Sequence, residues 1–274
     1  MLYVVATPIG NLGDITLRAI EVLKSVNLIV AEDTRHSRTL MNHLGIATPM
    51  TAYHEHNEAR ESPRLVRRMT EGESIALISD AGTPLLSDPG ARLVAAALAA
   101  DLRVIPIPGA SALLSALVVS GISAEQFTFL GFLPRKGGER EAMLRSPFTT
   151  IVYESPQRIA ATLADLVEAG CGDRAAALAR ELTKRFEEVR RGTVASLSEM
   201  IGEGEGLKGE IVLVVAGATE RAPTEAEARD TVSRMRSEGA SSRDIIERLT
   251  GELGVPRNVA YKLAHSPPDS TPAG

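Results

Sequence analysis

Short apolar runs that each lead into a segment of helical periodicity constrain this chain more than any other feature. Residues 2–6, 28–31, 74–79 and 103–107 are runs rich in Val, Ile, Leu and Ala. They lack polar alternation, the pattern of strands buried on both faces of a parallel sheet. After the first comes a helical segment with Leu17, Ile20 and Leu23 on one face, which Asp14 or Thr16 can cap. Others close at Gly45 and Gly72, where glycine accepts the left-handed turn most easily. The rhythm predicts an α/β fold with a parallel-sheet N-terminal domain over residues 1–120.

The second half has a different texture. Strand candidates at 127–132, 149–153, 175–180, 187–192 and 210–216 follow one another with fewer helices between them, which predicts a second α/β domain with a mixed sheet over 121–218. From 219 to 265 the chain becomes a charged helical tail, with Arg234, Arg236, Arg243, Arg248, Arg257 and Lys262, and Pro256 starting its last helix. Residues 266–274 are rich in Pro and Ser and are expected to be disordered.

Composition narrows the function classes. The 274 residues are 44% hydrophobic but only 3% aromatic, with no tryptophan, so the core is aliphatic and a surface that stacks many bases is disfavoured. The net charge of −5 excludes a polycation, and any nucleic-acid partner needs a local basic patch. Arginine outnumbers lysine 25 to 5, which suits bidentate contacts to phosphate or carboxylate. A single cysteine, Cys171, fits a reducing cytosol. With no basic leader and no apolar run near the ~20 residues that span a bilayer, a soluble cytoplasmic protein without membrane association is expected.

Two motifs are absent: no G-x-x-x-x-G-K-[ST] cradles a triphosphate, and no G-x-G-x-x-G follows the first strand. The acidic glycine run at 202–206 reads as a turn. Three loops then stand at carboxyl ends of predicted parallel strands, where open α/β sheets hold ligands. The first carries Pro8 and Gly10, the second Asp80, Ala81, Gly82 and Thr83, the third Pro108, Gly109 and Ser111. Any one of them is equally readable as a turn needing special dihedrals, but three on one edge point to a small-molecule site.

The segments LYVVATPIGNLGDIT, AEDTRHSRTL, HEHNE, SDAGTPLLSDPG, PIPGASALLSAL, GFLPRK, YESPQRI, ARELTKRFEE, RGT and KGEIVLVVAG, in this order over residues 1–217, resemble the tetrapyrrole methylase family. Within it they are most similar to the branch that methylates a cytidine 2′-hydroxyl in 16S rRNA of the small ribosomal subunit. The resemblance implies a two-domain homodimer that holds S-adenosyl-L-methionine in a cleft. Carried over by motif, Pro8, Asp80, Ala81, Gly82, Thr83, Leu86, Ser111 and Ala112 are expected to line the cofactor pocket. Tyr153, Glu154, Leu182, Gly209, Glu210 and Ile211 are expected to close it.

Methyl transfer of this kind is an in-line displacement that needs no enzyme nucleophile, only alignment and removal of the acceptor proton. Glu32, Asp33 and His54 are the candidate bases, with His56 beside them. Glu32 and Asp33 are as readily ion-pair partners of Arg35, and the histidines as readily loop hydrogen-bonders. No third ligand accompanies His54 and His56, so no metal is expected. RNA contact is assigned to Arg35, His36, Arg38, His56, Asn57, Arg135, Lys136, Lys184 and Arg185. The competing readings are methylation of a tetrapyrrole (corrinoid) ring and a non-catalytic RNA- or nucleotide-binding module.

Overall fold

The computed structural model describes residues 1–134, 146–202, 207–218, 225–251 and 255–266. Arg135 and Lys136, most of the glycine run at 202–206, and the terminus from 267 lie outside them. Strands β1 (Leu2–Val5), β2 (Leu28–Ala31), β3 (Met50–Ala52), β4 (Ile75–Ile78) and β5 (Val104–Ile107) form one sheet in the order β3-β2-β4-β1-β5. Every pairing in it is parallel.

Alternation along each strand sends side chains to two covered faces. Ile29, Ala31, Ala76 and Ile78 meet helices α1 (Leu17–Ser25) and α2 (Thr34–His43) through Ala19, Leu23, Leu40 and Met41. Leu28, Val30, Ile75 and Leu77 meet α3 (Glu58–Thr70) and α4 (Ala91–Ala99) through Leu65, Met69, Leu93 and Ala97. That double cover explains the unbroken apolar runs. Thr16 caps α1 by accepting from the Ala19 amide at 3.1 Å. The sequence reading missed β3, a half-buried three-residue edge strand too short to carry a periodicity.

The second sheet runs β6-β7-β10-β8-β9, from β6 (Phe127–Phe132), β7 (Thr149–Glu154), β8 (Ala175–Arg180), β9 (Glu188–Thr193) and β10 (Ile211–Val215). β6 and β7 are parallel and the other pairs antiparallel, so the sheet is mixed. Helices α6 (Ile159–Leu166) and α7 (Val194–Gly202) cover one face, and the π-helical turn Val167–Cys171 buries Cys171 there. The other face is covered by α5 (Ala112–Ser120), which follows the last strand of the first sheet. Leu113, Ala116 and Leu117 of α5 pack on Ala177, Ala179, Val212 and Val214, and Arg191 of β9 donates to the Val119 carbonyl at 3.0 Å. Away from that sheet the helix leaves Leu114, Val118 and Val119 exposed.

Residues 1–217 form one compact unit and 218–274 another. In the latter, α8 (Glu225–Ser237), α9 (Ser242–Gly251) and α10 (Arg257–His265) bury Val232, Ile245, Leu249, Ala260 and Leu263 against one another. Ser241 and Asp244 cap α9 reciprocally, at 3.1 and 3.3 Å. Arg236 donates to the carbonyls of Ala264 and Ser266 at 2.9 and 2.7 Å, so its charge closes α10. Among the described residues, no helix is long and apolar enough to cross a membrane.

Leu213 is fully buried in β10, the middle strand of the second sheet. Leu213→Ala should cost about 2–5 kcal/mol. Urea unfolding of the two proteins measures it, and a loss under about 1 kcal/mol would contradict this account of the core.

Candidate functional site

The sheet order brings three loops together. β4, β1 and β5 are neighbours, so the segments after them emerge side by side at the carboxyl edge. An isolated antiparallel bridge joins the first two: the Thr7 amide donates to the Gly82 carbonyl at 2.9 Å, and the Gly82 amide returns to Thr7 at 3.0 Å. Thr83 ties the second to the third through the Ala110 carbonyl at 3.1 Å. Gly82 has φ 79°, and a Cβ there would press Ile9 at 3.3 Å. Two non-glycine residues of the same loop, Leu85 (φ 76°) and Ser87 (φ 70°), also occupy the left-handed region.

The second sheet supplies the opposite wall. Antiparallel register places the end of β7 and the start of β10 together, with Glu154 opposite Ile211, and Ile211 opposite Arg180 at the end of β8. Gly209 has φ 95°, and a Cβ on it would strike the Glu181 carboxylate. Lys184 pairs with Glu181 at 2.9 Å and Glu210 at 3.0 Å, while its side chain fills the space a Cβ of Gly10 would need. Asn11 donates to the Thr183 hydroxyl at 3.2 Å. These contacts join the first loop to the turn after β8.

Between the walls lies a cavity of about 320 Å³. Of the residues expected to bind cofactor, Ala81, Gly82, Thr83, Leu86 and Ala112 line it from the first wall. Tyr153, Glu154, Gly209, Glu210 and Ile211 line it from the second. Pro8 lines instead a neighbouring hollow of about 290 Å³, together with His36, Thr39, Lys184 and Glu210. Asp80 stands behind the wall, where its carboxylate accepts from the Asp33 amide at 3.1 Å. Ser111 caps α5 through the Leu114 amide, and Leu182 is buried in the core beneath.

Sequence reasoning did not name Ile9, Ser87, Asp88, Phe132, Ser155, Pro156 and Val212, which also line the cavity. Asp88 and Phe132 stand within the quoted segments SDAGTPLLSDPG and GFLPRK. Phe132 is 58% exposed and packs edge-on against Tyr153 at 5.7 Å, with Phe129 against the same ring at 4.9 Å.

Among the described residues, the lining carries Asp88, Glu154 and Glu210 and neither lysine nor arginine. Glu154 is buried, and its oxygens accept from the Ser155 amide at 2.8 Å and the Thr162 hydroxyl at 2.7 Å, with Arg158 at 3.2 Å. Burial pushes the Asp88 carboxyl up to about 6; repulsion from Glu32 and Asp80 adds to this, and the Ser79 hydroxyl opposes it. Glu32 is raised too, by burial and by repulsion from Asp80 and Glu55, against the pull of His54.

Glu32, Asp33 and His54 follow β2 and β3 and do not line the cavity. Asp33 caps α2 and holds Arg35 in a 2.8 Å ion pair, which keeps its carboxyl far below the usual range. His54 and His56 meet edge-on at 5.9 Å, and the buried His54 Nδ1 has no hydrogen-bond partner among the described residues. No group of three metal-ligating side chains occurs among the described residues. Asn57 is internally engaged, accepting from the His54 amide and donating to the Ala52 carbonyl. Arg35, His36, Arg38 and His56 are exposed, and Arg185 lies over the Phe186 ring at 5.6 Å.

Residues 1–198 match the family model Tetrapyrrole (Corrin/Porphyrin) Methylases. A protein of Mesorhizobium japonicum named ribosomal RNA small subunit methyltransferase I is 48% identical over 256 residues, 91% of this chain and 87% of its own length. One of the same name from Synechocystis sp. is 45% identical over 271 residues, 96% of this chain and 97% of its own. Among solved structures, uroporphyrin-III C-methyl transferase from Thermus thermophilus, complexed with S-adenyl homocysteine, superposes with a TM-score of 0.56. That match covers 78% of this chain and 96% of the other at 17% identity, so it speaks for the fold alone.

The raised Asp88 carboxyl has a consequence for stability. Because the folded state holds this proton more tightly than the unfolded chain does, stability falls as pH rises from the ordinary value of 3.8 to about 6. Asp88→Asn removes that loss. It should stabilise the protein by roughly 1–3 kcal/mol at pH 7.5 and by little near pH 4. Denaturant unfolding across pH checks it, and a wild-type-to-variant gap that does not change with pH would refute the assignment.

Proposed function

The chain belongs to the tetrapyrrole methylase family, and from that premise we propose that it transfers a methyl group from S-adenosyl-L-methionine to the 2′-hydroxyl of a cytidine in 16S rRNA. The observation that carries this reading is a cavity shared by the loops of two sheets, in a chain 48% identical over most of its length to a protein named as a small-subunit rRNA methyltransferase. The substrate is the rRNA of the small ribosomal subunit, and the working form is a homodimer in the cytoplasm.

The cavity suits the cofactor on its own chemistry. Its volume falls in the usual range for small-molecule sites, and the charged side chains that line it among the described residues are acidic, complementary to a sulfonium and an ammonium. Gly82 and Gly209 bring backbone to the surface without a side chain. Ala81 to Thr83, Leu86 and Ala112 hold one side of the cofactor, and Tyr153, Glu154, and Gly209 to Ile211 the other. Pro8, Asp80, Ser111 and Leu182 support these walls from behind or beside them. When bound, the cofactor supplies an electrophilic methyl carbon.

The chain's own residues then orient the acceptor and exclude water. The exposed Phe132 ring offers a splayed-out base a face to stack on, a mode common in single-stranded RNA recognition. Arg35, His36, Arg38 and His56 surround the approach from the first sheet and meet phosphates. Arg185 does so from the second. Lys184 is neutralised by two carboxylates, so its part is to hold the turn rather than to bind RNA. Glu32 and His54, on the same edge, shape the field around the acceptor.

The test is methyl transfer from labelled S-adenosyl-L-methionine to small subunits lacking the modification, with free rRNA and a corrinoid precursor in parallel. Label should enter rRNA of the particle and leave an alkali-resistant linkage, since a methylated 2′-oxygen cannot attack its phosphate. Label on the corrinoid alone would overturn the reading. No label on any acceptor, with the cofactor bound, would favour a binding module. Arg38→Ala should raise KM for the particle about 3- to 10-fold, leave KM for the cofactor unchanged and flatten the salt dependence. An equal rise in both KM values would take Arg38 out of the RNA surface.

A further inference from the structure

Among the described residues three carboxylates line the cavity, and two are already engaged. Both Glu154 oxygens accept hydrogen bonds and one faces Arg158; the Glu210 side chain, 75% exposed, holds Lys184 at 3.0 Å. Asp88 differs. Among the described residues it forms no ion pair, and the nearby Ser79 hydroxyl is directed at the Ala81 and Gly82 carbonyls, each at 3.3 Å. The carboxylates that face it are Glu32 from the end of β2 and Asp80 from the end of β4, and the phenol of Tyr153 faces it from β7. The loop that delivers it holds Leu85 and Ser87 in the left-handed region, a conformation relaxed loops avoid and active sites collect.

We propose that Asp88 is the catalytic base of methyl transfer, accepting the proton of the acceptor hydroxyl inside the cavity it lines. The assignment rests on the reading of the chain as an S-adenosyl-L-methionine-dependent methyltransferase. In the step, the hydroxyl O–H bond breaks and its proton goes to an Asp88 oxygen. The freed pair on the acceptor oxygen bonds to the methyl carbon, while the carbon–sulfur pair stays on sulfur. A cation and an anion both become neutral, and Asp88 afterwards gives its proton to water. With a carboxyl near 6, Asp88 is ionised at pH 7.5 and still basic enough to compete for a hydroxyl proton. Glu32 is a positioning residue, since its charge keeps Asp88 basic.

Single-turnover methylation of small subunits is measured from pH 5 to 8 for the wild type, Asp88→Asn and Glu32→Gln, with calorimetric affinity for S-adenosylhomocysteine on each. The wild-type rate should climb with pH through a limb near 6 and level off. Asp88→Asn should lower the plateau by about 10²- to 10⁴-fold and abolish the limb, with affinity for the product within about threefold. Glu32→Gln should move the limb to lower pH. An Asp88→Asn rate within about threefold of wild type overturns the inference, as does a loss confined to cofactor affinity, which would make Asp88 a binding residue. A wild type that binds cofactor yet labels no rRNA overturns the functional reading, and this inference with it. Labelled rRNA beside an unimpaired variant overturns this inference alone.

Discussion

The paired hydrogen bonds between Thr7 and Gly82 are the constraint on which the site depends. Parallel strands hold one another only as far as the sheet reaches, and beyond the edge the chain must find other partners for its amides. Here the first and second loops satisfy each other, and Thr83 reaches on to Ala110 in the third. Three connections that would otherwise move separately become one surface. Its shape is fixed by backbone, so the side chains on it are left to chemistry.

Helix α5 does for the two sheets what that bridge does for the loops. It begins directly at the third loop, with Ser111 as its cap, and lays Leu113, Ala116 and Leu117 on the second sheet. The cavity between the walls therefore has its width set by aliphatic packing, which is dense and nearly incompressible. Its acidity is set locally. Asp88 lines the cavity with the repulsive charges of Glu32 and Asp80 near it, an arrangement that costs stability and is sustained by the frame around it.

Much of this was legible in the sequence, for physical reasons that differ by element. Double burial wrote β2 and β4 as unbroken apolar runs, and β7, β8 and β10, covered on both faces by helices, read as apolar runs of similar length. Strand β3 escaped because three half-buried residues carry no period. At the cavity, Gly82 and Ala112 stand in loops whose small residues permit close approach, while Gly209 follows only from the family resemblance. Asp88 was not legible, because nothing in the order of residues says which of two aspartates in one loop turns inward; that depends on left-handed dihedrals at Leu85 and Ser87 that a leucine and a serine do not advertise. Asp33 reads equally as a base or as an ion-pair partner of Arg35, and the structure shows the pair, whereas the burden of Lys184 becomes visible only with Glu181 and Glu210 around it.

The three-helix segment after residue 217 has an interior of its own, closed by Arg236 and by the reciprocal cap at Ser241. It also lies beyond the stretch matched by the family model. A module with a private core is free to drift, be lengthened or be exchanged among descendants without disturbing the chemistry encoded upstream.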